Sequence, residues 1–176
     1  MMSNVGIISA KSNSNRFPNK NIYELEGYPL FWYSVIPLIE SEYIDDVYVI
    51  TDSHFIKGFC EDRGVKVIWR GVNAIHDEEP LLGVLRFGYK SIDKSYDNIV
   101  TIMANCPKHS VESVNKSIEL MMRSDLLEVR SFNDIGEESG LMVFKEKVIL
   151  NTLQISSHIG YINSNVKEIH YKTDLE

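Results

Sequence analysis

Three cationic side chains, Lys11, Arg16 and Lys20, lie in one short loop near the amino terminus of the chain. The loop follows a short apolar run at residues 5 to 8, and no acidic residue occurs before residue 24. A loop that leaves a buried strand and leads toward a helix presents backbone N–H groups to anionic oxygens, while lysine and arginine neutralise their charge. These residues therefore predict a phosphate-binding loop.

This front loop, residues 10 to 21, is rich in serine and asparagine where phosphate-binding loops more often contain glycine. Asparagine adopts the left-handed backbone conformation more readily than most residues. We therefore expect Asn13, Asn15 and Asn19 to take the place of glycines. The alternative is a basic surface loop that binds nothing, because short motifs often match by chance.

Composition limits the ligand of this loop. The chain has 176 residues and a formal net charge of -7, which argues against nonspecific binding to nucleic acid or to an anionic membrane. No segment approaches the roughly 20 apolar residues of a membrane-spanning helix. A cluster of positively charged residues on an otherwise acidic protein favours a small anion as the ligand. We expect no nucleic acid and no membrane as partner.

The two cysteines, Cys60 and Cys106, are too few for a disulfide framework and lack the spacing of metal ligands. The amino terminus shows no signal-peptide pattern. We therefore expect a cytoplasmic protein with reduced thiols, Cys60 in a helix and Cys106 in a loop.

Strands and helices are predicted to alternate along most of the chain. The predicted strands are residues 5 to 9, 46 to 51, 65 to 69, 97 to 103 and 126 to 131, followed by 140 to 145 and 168 to 172. The predicted helices begin near Gly27, His54, Glu79, Ser110 and Glu146. Such alternation predicts an α/β fold of three layers, α/β/α, with a mostly parallel central sheet covered by helices on both faces.

Ligands of parallel sheets bind outside the carboxyl ends of the strands. The front loop, Asp52, Arg70 and Asn105 each follow a predicted strand and are therefore expected around one crevice. Asp52 has a second interpretation as the N-cap of the next helix, and we favour the cap, since that role is sufficient to explain it.

Ordered motifs along the chain resemble the cytidylyltransferases that activate acidic sugars, the acylneuraminate and CMP-Kdo synthetase group. The sequence from Ile8 through the front loop to Asn21 reads I-S-A-K-S-N-S-N-R-F-P-N-K-N, close to the family's I-P-A-R-x-x-S-K-x-x-P-x-K-N. The positions that match one or both branches are Ala10, Ser14, Arg16, Pro18, Lys20 and Asn21. The family's T-D-S corresponds to residues 51 to 53, and S-G-L-M-V-F-K at 139 to 145 resembles N-G-A-I-Y-x-F-K.

The resemblance implies a Rossmann-like nucleotidyltransferase fold, with residues 1 to 176 as a single domain. It implies that Lys11, Arg16 and Lys20 act in catalysis on the triphosphate of CTP. The nucleotide-binding residues that it implies are Ala10, Lys11, Ser12, Ser14, Arg16, Lys20, Asn21, Arg70 and His76. Asn105, Lys108 and His109 fall where the family binds its acceptor.

Several positions depart from the family pattern. The first arginine of the family loop is Lys11 here, and the loop lysine is Asn15. The acceptor motif Q-P-T-S-P-L-R is replaced by M-A-N-C-P-K-H at residues 103 to 109. The long excursion before the N-G-A-I-Y strand, which contributes dimer and acceptor contacts in the family, shrinks to about residues 133 to 139. These departures favour a smaller acceptor or a different oligomer, and a homodimer stays open.

The family also places a D-x-D pair near its carboxyl end to hold Mg²⁺. Asp174 and Glu176 occupy the matching region and are the predicted metal ligands, with a frayed acidic tail as the alternative. The family usually continues into a final helix, so we expect a carboxyl end that is either truncated or divergent.

The implied enzyme is a CTP-dependent cytidylyltransferase that transfers CMP to an anionic acceptor, releases pyrophosphate and supplies surface glycan or capsule synthesis. The acceptor is an acidic sugar or a smaller phosphorylated or phosphonate compound. Two alternatives stay open, a noncatalytic nucleotide-binding domain and a nucleotidyltransferase specific for another base.

Overall fold

The computed structural model describes residues 2–12, 14, 16–71, 79–151 and 158–175. Their strands are β1 (Asn4–Ser9), β2 (Glu24–Leu25), β3 (Tyr28–Pro29), β4 (Asp46–Thr51), β5 (Lys66–Trp69), β6 (Asn98–Ile102), β7 (Glu128–Phe132), β8 (Glu138–Lys145) and β9 (Ile159–Asn163). Their α-helices are α1 (Trp32–Glu40), α2 (His54–Glu61), α3 (Leu81–Lys90), α4 (Val111–Arg123) and α5 (Glu146–Leu150). Short 3-10 turns occupy Lys20–Ile22 and Lys172–Leu175.

Seven strands form the central sheet, in the order β5-β4-β1-β6-β8-β7-β9. The pairs β1–β4, β1–β6, β4–β5 and β7–β9 are parallel, whereas β8 runs antiparallel to both of its neighbours. The chain winds outward from β1 in both directions, so β1 and β6 flank a topological switch point. The predicted mostly parallel sheet is confirmed.

Helices cover both faces of this sheet, as predicted. On one face, apolar side chains of α1, α2 and α4 pack with those of the strands, as Leu38, Ile56 and Ile118 illustrate. On the other face, α3 and α5 contribute Leu85 and Ile149 to a second cluster. Both cysteines are buried free thiols, Cys60 in α2 and Cys106 in the loop after β6. Among the described residues, no helix is long and apolar enough to cross a membrane.

The segment before α1 differs from the prediction. Residues 24 to 29, which include the predicted helix start, form an antiparallel hairpin of β2 and β3. Its turn is made by Glu26 and Gly27, whose φ angles are 48° and 90°. Two successive residues with positive φ are characteristic of a two-residue hairpin turn, so the helix begins only at Trp32.

The end of the chain also differs from the prediction. The last strand is β9, parallel to β7, and the predicted strand at residues 168 to 172 is wrong. Residues 164 to 175, here called the carboxyl-terminal segment, lie outside the sheet. Ile169 of this segment packs against Phe17 and Leu30, and its backbone N–H donates to the carbonyl of Asn105 at 2.7 Å. The segment therefore contacts the front loop.

Strands β7 and β8 are joined directly by a short turn, which agrees with the absence of the family excursion. The Asn133 side-chain oxygen accepts from the backbone N–H groups of Ile135, at 3.2 Å, and Glu137, at 2.9 Å. Such a side-chain-capped turn needs no further residues to reverse the chain.

Candidate active site

A pocket of about 390 Å³ opens at the carboxyl ends of β1 and β6, beside the first turn of α3. Its lining consists of Ser9, Lys11, Ser14, Arg16, Lys20, Asn21, Arg70, Glu79, Leu81, Val84, Thr101, Ile102, Met103, Ala104, Asn105 and Glu168. The pocket thus lies at the topological switch point, where parallel α/β sheets bind ligands. Seven of the residues selected from the sequence line it: Lys11, Ser14, Arg16, Lys20, Asn21, Arg70 and Asn105.

The beginning of the front loop is held to the sheet by hydrogen bonds. The Ala10 N–H donates to the carbonyl of Ile50 at 2.9 Å, which continues the pairing of β1 with β4. The next hydrogen bond is made to a side chain: the Ser12 N–H donates to Asp52 Oδ1 at 2.5 Å. Asn21 Nδ2 donates to the carbonyl of Lys11 at 2.9 Å. Ala10 is fully buried and, like Ser12, does not line the pocket.

Asp52 therefore does not have the role that the sequence favoured. The N-cap of α2 is Ser53, whose hydroxyl accepts from the Ile56 N–H at 3.3 Å. Serine and aspartate are equally good N-caps, so the sequence alone does not decide which of two adjacent residues occupies that position. Asp52 instead bonds the front loop.

Four cationic side chains, Lys11, Arg16, Lys20 and Arg70, line the pocket. Lys20 Nζ donates to the carbonyl of Ile169 at 2.9 Å. Burial lowers the pKa of Lys20, whereas Glu168 acts in the opposite direction. Arg70 is 5% exposed, and its backbone N–H donates to the carbonyl of Thr51 at 2.8 Å. This density of positive charge suits a polyanion such as a triphosphate.

The loop after β6 brings Asn105 together with Glu168 of the carboxyl-terminal segment. Asn105 Nδ2 donates to Glu168 Oε1 at 2.6 Å. Gly140 of β8 lets this loop approach the sheet: its φ is 86°, and a Cβ there would lie 2.5 Å from Cys106 Sγ. Burial raises the pKa of the Cys106 thiol to about 12, so this cysteine supplies no thiolate at neutral pH.

Asp174 does not line the pocket. Its Oδ2 accepts from the backbone N–H groups of His170, at 2.9 Å, and Tyr171, at 2.8 Å, while its Oδ1 accepts from Lys167 Nζ at 3.0 Å. These donors hold the pKa of Asp174 well below its usual range, with the backbone bonds as the main cause. The carboxylate closes a local turn and is not part of the candidate site. Glu176 and His76 lie outside the described residues.

Lys108 and His109 also do not line the pocket. Lys108 pairs with Glu26 at 3.1 Å, and both side chains are exposed. His109 is 5% exposed: Nε2 bonds the carbonyl of Ser139 at 2.7 Å, and Nδ1 bonds the Ser164 hydroxyl at 2.9 Å. His109 therefore connects β8 with the carboxyl-terminal segment, and of the predicted acceptor residues only Asn105 remains in the candidate site.

Protonation of His109 should destabilise the fold. Burial lowers its pKa below the ordinary value, so the unfolded chain takes up a proton at a higher pH than the folded chain does. We expect the free energy of unfolding to fall as the pH drops below about 6.5, the unfolded pKa of histidine. Denaturant unfolding of wild type and His109→Gln between pH 5 and 8 measures this slope. An equal slope in both proteins would contradict the assignment.

Nine of the sixteen lining residues were not selected from the sequence, and they include two acidic residues, Glu79 and Glu168, and the hydroxyl of Thr101. Thr101 belongs to β6, and Glu79 directly precedes the first turn of α3. Glu168 begins the stretch that was predicted as a strand. Contacts with Asn105 and Lys20, which are distant in sequence, hold this stretch outside the sheet. The sequence placed only one member of the Asn105–Glu168 contact at the pocket, Asn105, and gave no signal for Glu168.

Glu168 and Asn105 are the residues that could hold a divalent cation. Both residues line the cationic pocket, and their side chains carry a carboxylate and an amide oxygen, ligand types that Mg²⁺ and Mn²⁺ accept. Asn105 Nδ2 faces Glu168 Oε1 here, so the amide would have to turn over for its oxygen to bind the same cation. The described residues contain no cluster of three or more histidine, cysteine or acidic side chains that could hold a metal ion. Glu168 and Asn105 could hold a cation if phosphate oxygens of the ligand complete its coordination, as is common for Mg²⁺.

Comparisons with known proteins agree with this architecture. Residues 5–175 match the family described as Cytidylyltransferase. An N-acylneuraminate cytidylyltransferase of Streptococcus agalactiae serotype III is 24% identical over 172 residues, which are 97% of this chain and 41% of the relative. The chain thus spans less than half the length of that relative.

Two solved structures show the same fold. The structure of CMP:2-keto-3-deoxy-manno-octonic acid synthetase complexed with CTP has a TM-score of 0.81 at 14% identity, covering 98% of this chain and 95% of that one. A Mycobacterium tuberculosis protein in complex with manganese has a TM-score of 0.69 at 11% identity, covering 93% and 89% of the two chains. The match of the family to nearly every residue, together with this shared fold, shows that the chain belongs to the cytidylyltransferase family.

Proposed function

We propose that this protein transfers CMP from CTP to a small anionic acceptor and releases pyrophosphate. The observation that carries the proposal is the convergence of four cations with Glu168 on one pocket at the switch point of the sheet. Membership of the cytidylyltransferase family supports CTP as the nucleotide. The similar synthetase was solved with CTP, which supports the same choice.

In the proposed reaction, an oxygen of the acceptor forms a bond to the α-phosphorus of CTP. The bond from that phosphorus to the bridging oxygen breaks, and its electron pair leaves on pyrophosphate. A phosphate or phosphonate acceptor attacks through an oxygen that is already ionised at neutral pH, so its attack needs no general base. A sugar that attacks through a hydroxyl would in addition transfer the hydroxyl proton to a base. Lys11, Arg16 and Lys20 reduce the repulsion between two anions and stabilise charge on the leaving group.

Mg²⁺ is the proposed cofactor, with Glu168 and Asn105 as its protein ligands. When bound, the cation would neutralise phosphate charge and favour departure of pyrophosphate. The manganese complex of the Mycobacterium tuberculosis protein supports the use of a divalent cation. Glu168 also opposes the lowering of the Lys20 pKa by burial.

The nucleoside is proposed to occupy the side of the pocket next to α3. Leu81 and Val84 of this helix provide an apolar wall, which suits one face of a planar base. Ser14, Asn21 and Arg70 are the candidates for polar contacts with the nucleotide. The role of His76 in binding the nucleotide remains a prediction.

The acceptor is proposed to be an acidic sugar or a smaller phosphorylated or phosphonate compound. The short turn between β7 and β8 supports the smaller class, because the excursion that contributes acceptor contacts in the family is absent there. The same absence removes the usual family dimer contacts, so a homodimer would need another surface. The name of the Streptococcus relative supports the acidic-sugar class.

The proposed setting is the cytoplasm, where the product would serve surface glycan or capsule synthesis. The buried free thiols of Cys60 and Cys106 are consistent with a reducing compartment. The family resemblance supports this biological role.

A pyrophosphate-release screen tests the proposed function. Purified protein with Mg²⁺ is incubated with CTP, UTP, GTP or ATP and with acidic sugars, phosphosugars or phosphonates. We expect release with CTP and at least one acceptor, and at least tenfold less with the other nucleotides, a difference of about 1.4 kcal/mol in transition-state binding. Equal rates with all four nucleotides would contradict the assignment of CTP.

A noncatalytic nucleotide-binding domain is the second candidate. It is favoured by the absence of a third acidic, histidine or cysteine ligand beside Glu168 among the described residues. Thermal stabilisation by CTP without pyrophosphate release on any acceptor in the screen would support this candidate.

A further inference from the structure

Asp52 continues the pairing of β1 with β4 beyond the point where the two strands separate. Ser9 is the last residue of β1 in register with β4, opposite Ile50. The Ala10 N–H still reaches the carbonyl of Ile50, at 2.9 Å. Two residues later the Ser12 N–H is bonded by the carboxylate of Asp52, at 2.5 Å. A side chain thus takes the place of a main-chain carbonyl and holds the loop at a side chain's length from β4.

The support behind Asp52 is rigid. The Thr51 carbonyl accepts from the backbone N–H of Arg70 at 2.8 Å, and the Thr51 hydroxyl accepts from that of Ser53 at 3.1 Å. Thr51 is fully buried. Asp52 therefore extends from a segment that is fixed to β5 on one side and to the start of α2 on the other.

The Lys11–Ser12 peptide is bonded at both of its polar ends. Its carbonyl, that of Lys11, accepts from Asn21 Nδ2 at 2.9 Å, and its N–H, that of Ser12, donates to Asp52. Two bonds on opposite sides of one planar group fix its rotation about the chain. The rotation of this peptide sets the direction in which the Lys11 side chain leaves the backbone.

We propose that Asp52 is a positioning residue for Lys11. Its carboxylate does not line the pocket and acts through the Lys11–Ser12 peptide, so that the Lys11 ammonium meets the phosphate of the bound nucleotide. This inference rests on the proposed function, because it assumes a phosphate ligand in the pocket.

Two substitutions separate this role from others. Asp52→Asn keeps an oxygen that accepts from the Ser12 N–H, whereas Asp52→Ala removes it. Asp62→Ala, at the exposed end of α2, is the matched control for loss of one carboxylate. Each variant is compared with wild type in kcat and KM for CTP, in the Kd for CTP measured by calorimetry, and in thermal unfolding.

We expect Asp52→Ala to lower kcat/KM by about 10- to 100-fold, the cost of misplacing a contact to the reacting group. Asp52→Asn should lie within threefold of wild type. A structural role alone would lower the unfolding temperature but leave kcat and KM of the folded fraction unchanged, and that result would overturn the proposal. Tighter CTP binding by both variants would also overturn it, since Asp52 would then compete with phosphate.

The outcomes distinguish this inference from the proposed function. If wild type neither binds nor turns over CTP, the proposed function fails, and the positioning role fails with it. If wild type turns over CTP and Asp52→Ala does so equally well, only the positioning role fails.

Discussion

Replacing Lys20 with alanine should lower kcat/KM for CTP about 1,000-fold, which corresponds to about 4 kcal/mol of lost transition-state stabilisation. Lys20 lines the pocket, is half-buried and has its Nζ fixed on the carbonyl of Ile169. An ammonium held in a partly desolvated site interacts more strongly with phosphate oxygens than an exposed one does. Pyrophosphate release under steady-state conditions measures the effect.

The matched control is Lys172→Ala. Lys172 belongs to the carboxyl-terminal segment and does not line the pocket. Its Nζ lies 5.8 Å from the centroid of the Tyr23 ring. We expect its removal to change kcat/KM by less than threefold, because exposed charges are screened. Loss of the Lys20 hydrogen bond should reduce stability by only about 1 kcal/mol. Wild-type affinity for CTP in Lys20→Ala would contradict the assignment of the pocket.

Replacing Glu168 with glutamine should weaken divalent-cation binding by about 100-fold or more, because altering groups that only orient metal ligands already costs about 10- to 100-fold. Glutamine retains an oxygen that accepts from Asn105 Nδ2, so the loop contact survives while the negative charge is lost. Electron paramagnetic resonance of Mn²⁺ in the presence of CTP measures cation affinity directly. Pyrophosphate release should then require a higher Mg²⁺ concentration.

Asp174→Asn provides the contrasting variant. Asp174 accepts hydrogen bonds from two backbone N–H groups of its own turn and from Lys167 Nζ, and it lies outside the pocket lining. We expect its Mn²⁺ affinity and its Mg²⁺ requirement to equal those of wild type. Weakened cation binding in Asp174→Asn with normal binding in Glu168→Gln would contradict this assignment and would identify Asp174 as the metal ligand.

The sheet and its helices could be predicted because their signals are local. A short apolar run such as Val5 to Ile8 is typical of a buried parallel strand, and alternation with helices predicts the layers. The hairpin before α1 was missed because Pro29 after Gly27 resembles a helix start, whereas the left-handed conformation of Glu26 cannot be inferred from its residue type. Residues 168 to 172 alternate like a strand, yet tertiary contacts hold them outside the sheet.

The candidate site was predictable where it lies within one loop. The basic residues of the front loop are close in sequence, and the structure brings Lys11, Arg16 and Lys20 to one pocket. The side-chain directions of Lys108 and His109 depend on neighbours that are distant in sequence, Glu26 and Ser164. Glu168 was missed for the same reason, since nothing near it in the sequence indicates a partner in the loop after β6.

The contact of the front loop with the carboxyl-terminal segment affects how the protein folds. Lys20 Nζ and the carbonyl of Ile169 are joined across 149 residues of chain, and Phe17 packs on Ile169 beside them. Closing so long a loop has a large entropic cost before any contact compensates for it, so such contacts form late. The sheet can thus form before Lys20 meets its partner. We therefore expect the rim of the pocket that these two elements form to open more readily than the sheet, and its local stability would then set the fraction of molecules that can bind a ligand.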